Sequence, residues 1–240
     1  MQHMSEWIDI AAQFIGFPLS EDRLRLFEIY ESELIEWNTR FNLTAIKNPD
    51  EIRTKHFLDS LSCALAINDF NGRSLVDVGT GAGFPGIPLK IVFPDLKLTL
   101  VDSVGKKLVF CQHIIDRLSL TDCRIIHARA EDLGKDPLHR ERYDIAVARA
   151  VTGLSALSEL LLPLVKRKGI MIAQKGETAA EELKAAEKAI RILGGGETQL
   201  IPVTIPKGAE HRNLIRIEKQ RNTPSGYPRR PDQIRKKPID

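Results

Sequence analysis

The chain is expected to fold as a doubly wound α/β domain whose mostly parallel, seven-stranded sheet ends in an antiparallel hairpin. Three observations carry that expectation. Short apolar runs rich in β-branched residues alternate with helical periodicity from Ser74 to Leu193. The last two runs, TQLIPVTIP and HRNLIRIEK, follow each other with no helical segment between them, so they should pair antiparallel at the sheet edge. A length of 240 residues with 42% apolar content suffices for one large core with a small extension, but hardly for two full domains.

The first seventy residues read as helices. Ser20 precedes a segment in which Phe27, Tyr30, Leu34, Trp37 and Phe41 recur at three- and four-residue steps, a single apolar stripe suited to core packing. Asn48, Pro49, Asp50 and Glu51 supply a cap, a first-turn proline and two acids at the positive end of the helix dipole, opening a helix expected to reach about Ile67. The alternating part begins with SLVDV, then a helix to Phe93, LKLTLVD, a helix from about Gly105 to Leu118, CRIIHA and YDIAVA. A helix near Leu154 to Leu164, the strand GIMIAQ and a helix from about Thr178 to Leu193 complete it, the last helix stopping at Gly194, Gly195 and Gly196. The chain thus divides into an N-terminal helical extension (1–70), a main domain (71–218) and a basic, proline-rich tail (219–240). Pro224, Pro228, Pro231 and Pro238 argue that the tail is an extended strap rather than a helix.

Net charge is +3, unevenly spread: residues from Lys219 onward hold seven Lys and Arg against two Asp, a local +5 that leaves residues 1–218 at about −2. A basic tail suits an anionic partner such as RNA, although a merely solvated tail fits the charge equally well. Cys63, Cys111 and Cys123 show neither disulfide nor metal-ligand spacing, so neither a disulfide framework nor a zinc site is suggested, and a reducing cytosol fits best. Cys111 falls on an apolar helical face and reads as a core packer. No run approaches the eighteen apolar residues of a membrane helix, and no signal peptide is recognised.

The chemistry is expected at the turn LVDVGTGAGFPGIP, residues 75–88, because open α/β sheets bind ligands beyond the carboxyl ends of their strands. A dinucleotide fingerprint would be G-x-G-x-x-G; here Gly79, Gly81 and Gly83 are followed by Phe84. Pro85 and Pro88 also lack the N–H groups that would hold a pyrophosphate. Such a turn suits a phosphate-free nucleoside carrying a zwitterionic arm, and S-adenosylmethionine is that ligand. Asp102, 23 residues after Gly79, is placed to accept from ribose hydroxyls at the end of the second strand. Glu131, after the third strand, is placed for the adenine amino group; Asp77 or the carbonyls around Gly79 suit the ammonium, and Phe84 offers an apolar wall. Asp102 as a helix cap and Glu131 as a solvated carboxylate are the plainer alternatives.

Together, VDVGTGAGFPGIP, TLVDSVGKK, ARAEDL and DIAVARAV, with RFNLTAI, KHFLDSL and TPSGYPRR, closely resemble the bacterial RsmG (GidB) family over roughly residues 25–240. The resemblance implies a Rossmann-like class I methyltransferase fold and a cytoplasmic enzyme, which is expected to act as a monomer. It implies that the enzyme uses S-adenosylmethionine to methylate N-7 of a guanine in the decoding region of 16S ribosomal RNA, free or in the small subunit. It further implies that Gly79 and Phe84 line the cofactor pocket, that Ala130 and Glu131 hold the adenine, that Arg149 reaches the site from the fourth strand, and that Lys175 contacts RNA; Gly81 of the same turn is a further cofactor-binding candidate. The tail departs from the family pattern at Asp232 and Ile234.

N-7 of guanine has a lone pair and no proton to lose, so no general base is expected; positioning and water exclusion are the work required. Because the product guanine is cationic, Arg149 is assigned to a phosphate or to the cofactor carboxylate. His56 and Asp59 share a helical face and read as a local hydrogen-bonded pair that could approach the pocket. In the tail, Lys219, Arg221, Arg229, Arg230, Arg235, Lys236 and Lys237, with Tyr227 among them, suit RNA phosphates and one stacked base. Rival readings are a methyltransferase for a small molecule or protein, an NAD-dependent dehydrogenase, and a non-catalytic RNA-binding module.

Overall fold

The structure, a computed structural model, describes residues 2–67, 69–208 and 211–239. Helix α1 (Gln2–Ile15) leads into α2 (Glu21–Phe41), where Ser20 Oγ accepts the Arg23 N–H and Asn42 closes the end in the left-handed region at φ 48°. Phe27, Tyr30 and Leu34 of the stripe are buried, and Trp37 and Phe41 pack against the same core. Asn48 Oδ1 caps α3 (Pro49–Ile52) by accepting from Asp50 and Glu51.

The helix expected to run on to about Ile67 is not a regular α-helix. It widens into a π-helical segment, Arg53–Leu58, resumes as α4 (Asp59–Leu61) and tightens to a 3₁₀ turn, Ser62–Leu65. Such wide turns frequently mark functional sites, and this one carries His56.

The sheet contains β1 (Ser74–Val78), β2 (Lys97–Asp102), β3 (Cys123–His127), β4 (Tyr143–Arg149), β5 (Val165–Lys175), β6 (Gly195–Thr204) and β7 (His211–Lys219). Their spatial order is β3-β2-β1-β4-β5-β7-β6, with β7 antiparallel to both neighbours. The expected hairpin is present, and β7 rather than β6 docks on β5. Its Leu214, Ile215 and Ile217 are buried, whereas β6 is largely exposed and carries Pro202, a residue suited to an edge. Connecting helices are α5 (Gly86–Val92), α6 (Gly105–Arg117), α7 (Ala130–Leu133), α8 (Leu154–Leu161) and α9 (Ala179–Ile192).

Side chains alternate across the sheet and feed two cores. Leu75, Leu98, Leu100, Ile145 and Val147 join the core of the N-terminal helices with α5 and α6. Val76, Val78, Ala146, Ala148 and Met171 join the opposite core with α8 and α9.

The tail is no continuous extended strap, because α10 (Pro231–Lys236) forms within it. Pro231 stands in the first helical turn, where a missing N–H costs nothing. The tail is also packed on the fold. Lys219 is buried, with its ammonium on Leu162 O and Thr223 Oγ1. Arg140 donates to the carbonyls of Thr223, Pro224 and Tyr227. Arg229 pairs at 2.7 Å with Glu159, whose side chain is fully buried. Arg221, Arg230, Arg235, Lys236 and Lys237 remain exposed.

Candidate active site

The carboxyl ends of β1, β2 and β3 border a cleft of about 190 Å³ lined by Val78, Gly79, Asp102, Ala130, Glu131 and Val151, among others. Gly79 has φ +71°, and a Cβ there would lie 2.8 Å from Val151 Cγ2, so both conformation and space require glycine. The Gly81 N–H donates to Asp102 Oδ2 at 2.9 Å, and the Val104 N–H to Oδ1 at 2.8 Å. Asp102 therefore ties the glycine turn to the start of α6 while lining the cleft. Two ionised oxygens offer about four lone-pair sites, which leaves acceptor capacity for a ligand. Glu131 sits in the first turn of α7, half-buried, with no hydrogen-bond partner among the described residues.

Beneath the turn, Asp77 is fully buried. Its Oδ2 accepts from Thr80 Oγ1 at 2.7 Å and the Gly86 N–H at 2.9 Å, while Oδ1 has no partner. Burial raises its pKa to about 6, against these hydrogen bonds. The first turn of α5 offers no donor to a phosphate. Pro85 and Pro88 have none, the Gly86 N–H is taken by Asp77, and the Ile87 N–H by Gly83 O.

Phe84 is 5% exposed and lies outside the cleft lining. Its ring stacks with Tyr30 (5.4 Å between centroids) and His56 (4.5 Å), and the Arg149 guanidinium sits 5.2 Å from its centroid. Tyr30 OH in turn donates to Ala82 O. The N-terminal helices thus hold the glycine turn from below.

A second cleft, about 510 Å³, opens where the π-helical segment meets the ends of β4, β5 and β7; Lys55, His56, Asp59, Arg149, Lys175 and Arg212 line it. Arg149 Nη1 donates to Asp59 Oδ2 at 2.7 Å and to Lys55 O at 3.0 Å; Nη2 reaches His56 Nδ1 at 3.2 Å. A guanidinium only donates, so Nδ1 accepts and the proton stands on Nε2, which donates to Thr44 Oγ1 at 2.8 Å. Burial and the Arg149 charge lower the His56 pKa to about 3, so the ring is neutral. Asp59 also faces Arg212 Nε at 3.3 Å. His56 and Asp59 thus meet through Arg149 rather than pairing with each other. Arg149, expected to await an external anion, already holds an internal one. Lys175 pairs with Glu182 at 2.8 Å and donates to Thr152 O. Four cations line the cleft, and Glu51, Asp59 and Glu182 offset much of their charge.

The sequence reading singled out Gly79, Gly81, Asp102, Ala130 and Glu131, and the fold brings them together around one cleft or its rim. It gave no role to Thr44, Val151, Gln174 or Arg212. Of these, Thr44 lies in RFNLTAI and Val151 ends DIAVARAV, two of the motifs that carry the family resemblance. Gln174 is buried and donates to Asp59 O at 2.5 Å.

Residues 23–215 match the family model described as rRNA small subunit methyltransferase G (GidB). The chain is 48% identical over 225 residues to the ribosomal RNA small subunit methyltransferase G of Bacillus cereus strain AH187, covering 94% of each chain. It is 45% identical over 227 residues to the protein of that name from Alkaliphilus metalliredigens, covering 95% of each. Among solved structures, it resembles the precorrin-6y C5,15-methyltransferase of Geobacter metallireducens (TM-score 0.51, 13% identity, 67% of this chain and 87% of that one). It also resembles a 16S rRNA (adenine(1408)-N(1))-methyltransferase variant with cosubstrate SAM from Catenulisporales acidiphilia (TM-score 0.50, 13% identity, 70% and 93%). These likenesses show a class I methyltransferase fold, and by sequence the chain belongs to the rRNA small subunit methyltransferase G family.

Proposed function

We propose that this enzyme transfers a methyl group from S-adenosylmethionine to N-7 of a guanine in the decoding region of 16S ribosomal RNA. The observation that carries the reading is the buried, half-satisfied carboxylate of Asp77 beneath a phosphate-excluding glycine turn whose Gly79 lines the smaller cleft. A buried anion with an unpartnered oxygen suits a cationic ligand and opposes a diphosphate. On this reading Asp102 accepts from the ribose hydroxyls, Ala130 and Glu131 hold the adenine, Gly79 and Gly81 let the amino-acid arm approach the backbone, and Asp77 balances the positive charge. When bound, the cofactor supplies an activated methyl group.

The chain's own residues orient the base and exclude water. Neutral His56 adds no charge beside a guanine that becomes cationic, and Asp59 offsets Arg149 for the same reason. Lys55 and Arg212 at the cleft lining suit the flanking phosphates, and so does Lys175, whose pairing with Glu182 a phosphate would compete for. Exposed Arg221, Arg230, Lys236 and Lys237 suit RNA further out, whereas Tyr227 and Arg229 are engaged in holding the tail. Incubation with methyl-labelled cofactor and 16S rRNA, followed by mapping of the labelled base, tests the reading. Label at N-7 of a single guanine is expected; label on protein, on another ring atom or nowhere overturns it. Asp102→Ala should abolish cofactor binding in calorimetry.

A further inference from the structure

We infer that a third cleft, at the end of the sheet opposite the active site, binds the phosphate backbone of ribosomal RNA at a segment remote from the target base. The inference rests on the reading of the chain as an enzyme of ribosomal RNA and extends it to a surface the methyl transfer does not use. The cleft, about 290 Å³, lies where β1 to β4 begin, and Lys97, Arg124, His139 and Arg142 line it against one carboxylate, Asp122. Lys97, Arg124 and Arg142 are exposed, and none of the three has an ion-pair partner among the described residues.

The positive surface continues along the strand beginnings. Arg73 precedes β1, and Lys166, Arg167 and Lys168 open β5, all exposed. The nearest strand carboxylate, Asp144, is already committed. It pairs with Lys166 and accepts from both the Ser74 N–H and hydroxyl, which hold its pKa below the ordinary value despite burial. The strands that carry these cations, β3-β2-β1-β4-β5, are neighbours in that order. At ~4.8 Å per strand the row spans about 19 Å, long enough to follow several phosphates of one RNA strand.

Two contrasts favour RNA phosphate. In the active-site cleft, Lys55, Arg149 and Lys175 are paired with Glu51, Asp59 and Glu182, so much of that charge is offset. Unpaired cations release counterions from a polyanion and supply its salt-dependent affinity. The row also stands about 17 Å, the length of a five-residue strand, from the glycine turn, farther than the nucleotides immediately adjoining the methylated guanine reach.

The test is the full-length triple variant Lys97→Glu/Arg124→Glu/Arg142→Glu, with binding to protein-free 16S rRNA and to intact small subunits measured across a series of salt concentrations. Affinity for both should fall at least tenfold, and the slope of log affinity against log salt should shrink by about 2–3, three lost phosphate contacts. Cofactor affinity in calorimetry and methyl transfer at saturating RNA should match the unaltered enzyme, which separates failure here from failure of the active-site reading. If the triple variant does not bind cofactor, the single Gln variants replace it, each expected to lower the slope by about 0.7–0.9. An unchanged slope overturns the inference. So does a loss seen with intact subunits but not with protein-free RNA, since the partner would then be a ribosomal protein.

Discussion

Replacing Asp77 by Asn separates the cost of a buried charge from its use. The carboxyl is fully buried and titrates at about 6 against an ordinary 3.8. That gap is worth about 3 kcal/mol of stability, withheld from the folded protein at any pH well above both values. The sign follows from proton counting: the native state holds this proton more tightly than the unfolded chain, so the contribution is favourable below pH 3.8 and is lost as pH rises through 6. In the Asn variant the side-chain oxygen can keep both donors, Thr80 Oγ1 and the Gly86 N–H, since one oxygen accepts them already. The amide nitrogen takes the place of unpartnered Oδ1 and brings a buried donor without an acceptor, costing about 1–3 kcal/mol. The two effects nearly cancel. Denaturant unfolding at pH 7.5 should therefore give a ligand-free stability equal to the parent's or up to ~2 kcal/mol higher, and the loss of stability between pH 4 and 6 should flatten. Cofactor binding should move the other way, weakening at least tenfold, and in the parent it should weaken as pH falls below about 6 and Asp77 takes up a proton. A variant that binds cofactor as the parent does, or that loses more than ~3 kcal/mol at pH 7.5, would refute the assignment of a charge-balancing role.

Three further perturbations test the surroundings. Arg229→Ala strands the fully buried Glu159 and should cost about 3–5 kcal/mol in unfolding experiments, while the double variant with Glu159→Gln should recover most of the loss. Because Glu159 neighbours Leu160, which lines the cofactor cleft, cofactor affinity should fall with Arg229→Ala as well. His56, buried neutral with its pKa near 3, should leave no inflection near pH 6.5 in the rate of methyl transfer. Since the unfolded chain protonates this histidine first, its contribution to stability should decline as pH falls below about 6.5, and His56→Gln should remove that decline in an acid titration of unfolding. Gly79→Ala should lose cofactor binding through both the φ of +71° and the 2.8 Å approach to Val151. Adding Val151→Ala should relieve the approach but leave a backbone cost of about 1–2 kcal/mol, measurable as incomplete rescue in calorimetry.

What the sequence disclosed and what it withheld divide along one physical line. Strand and helix periods are local, so the strand ends were legible, and with them Gly79, Asp102 and Glu131, which need only stand at successive strand ends to share a cleft. Pairings across the chain leave no such trace. Arg149 meets Asp59 across 90 residues, Gln174 meets the same residue's carbonyl across 115, and Tyr30 reaches Ala82 across 52. Spacing encodes none of these, and Phe84 accordingly read as a cofactor wall when the N-terminal helices in fact claim its ring. The π-helical turn was equally silent, since Ile52, Phe57, Leu58 and Leu61 satisfy a helical stripe about as well with the widened turn as without it. In the tail, the number of prolines points to an extended strap, whereas the position of Pro231 opens a helix. The tail cations show the deeper reason. Lys219 and Arg229 are indistinguishable from Arg230 or Lys236 as letters, and only the buried Glu159 and the carbonyl of Leu162, both contributed by distant segments, turn the first two from candidate RNA contacts into fastenings of the fold. Charge becomes function only after the internal anions have taken their share, and that subtraction requires the folded chain.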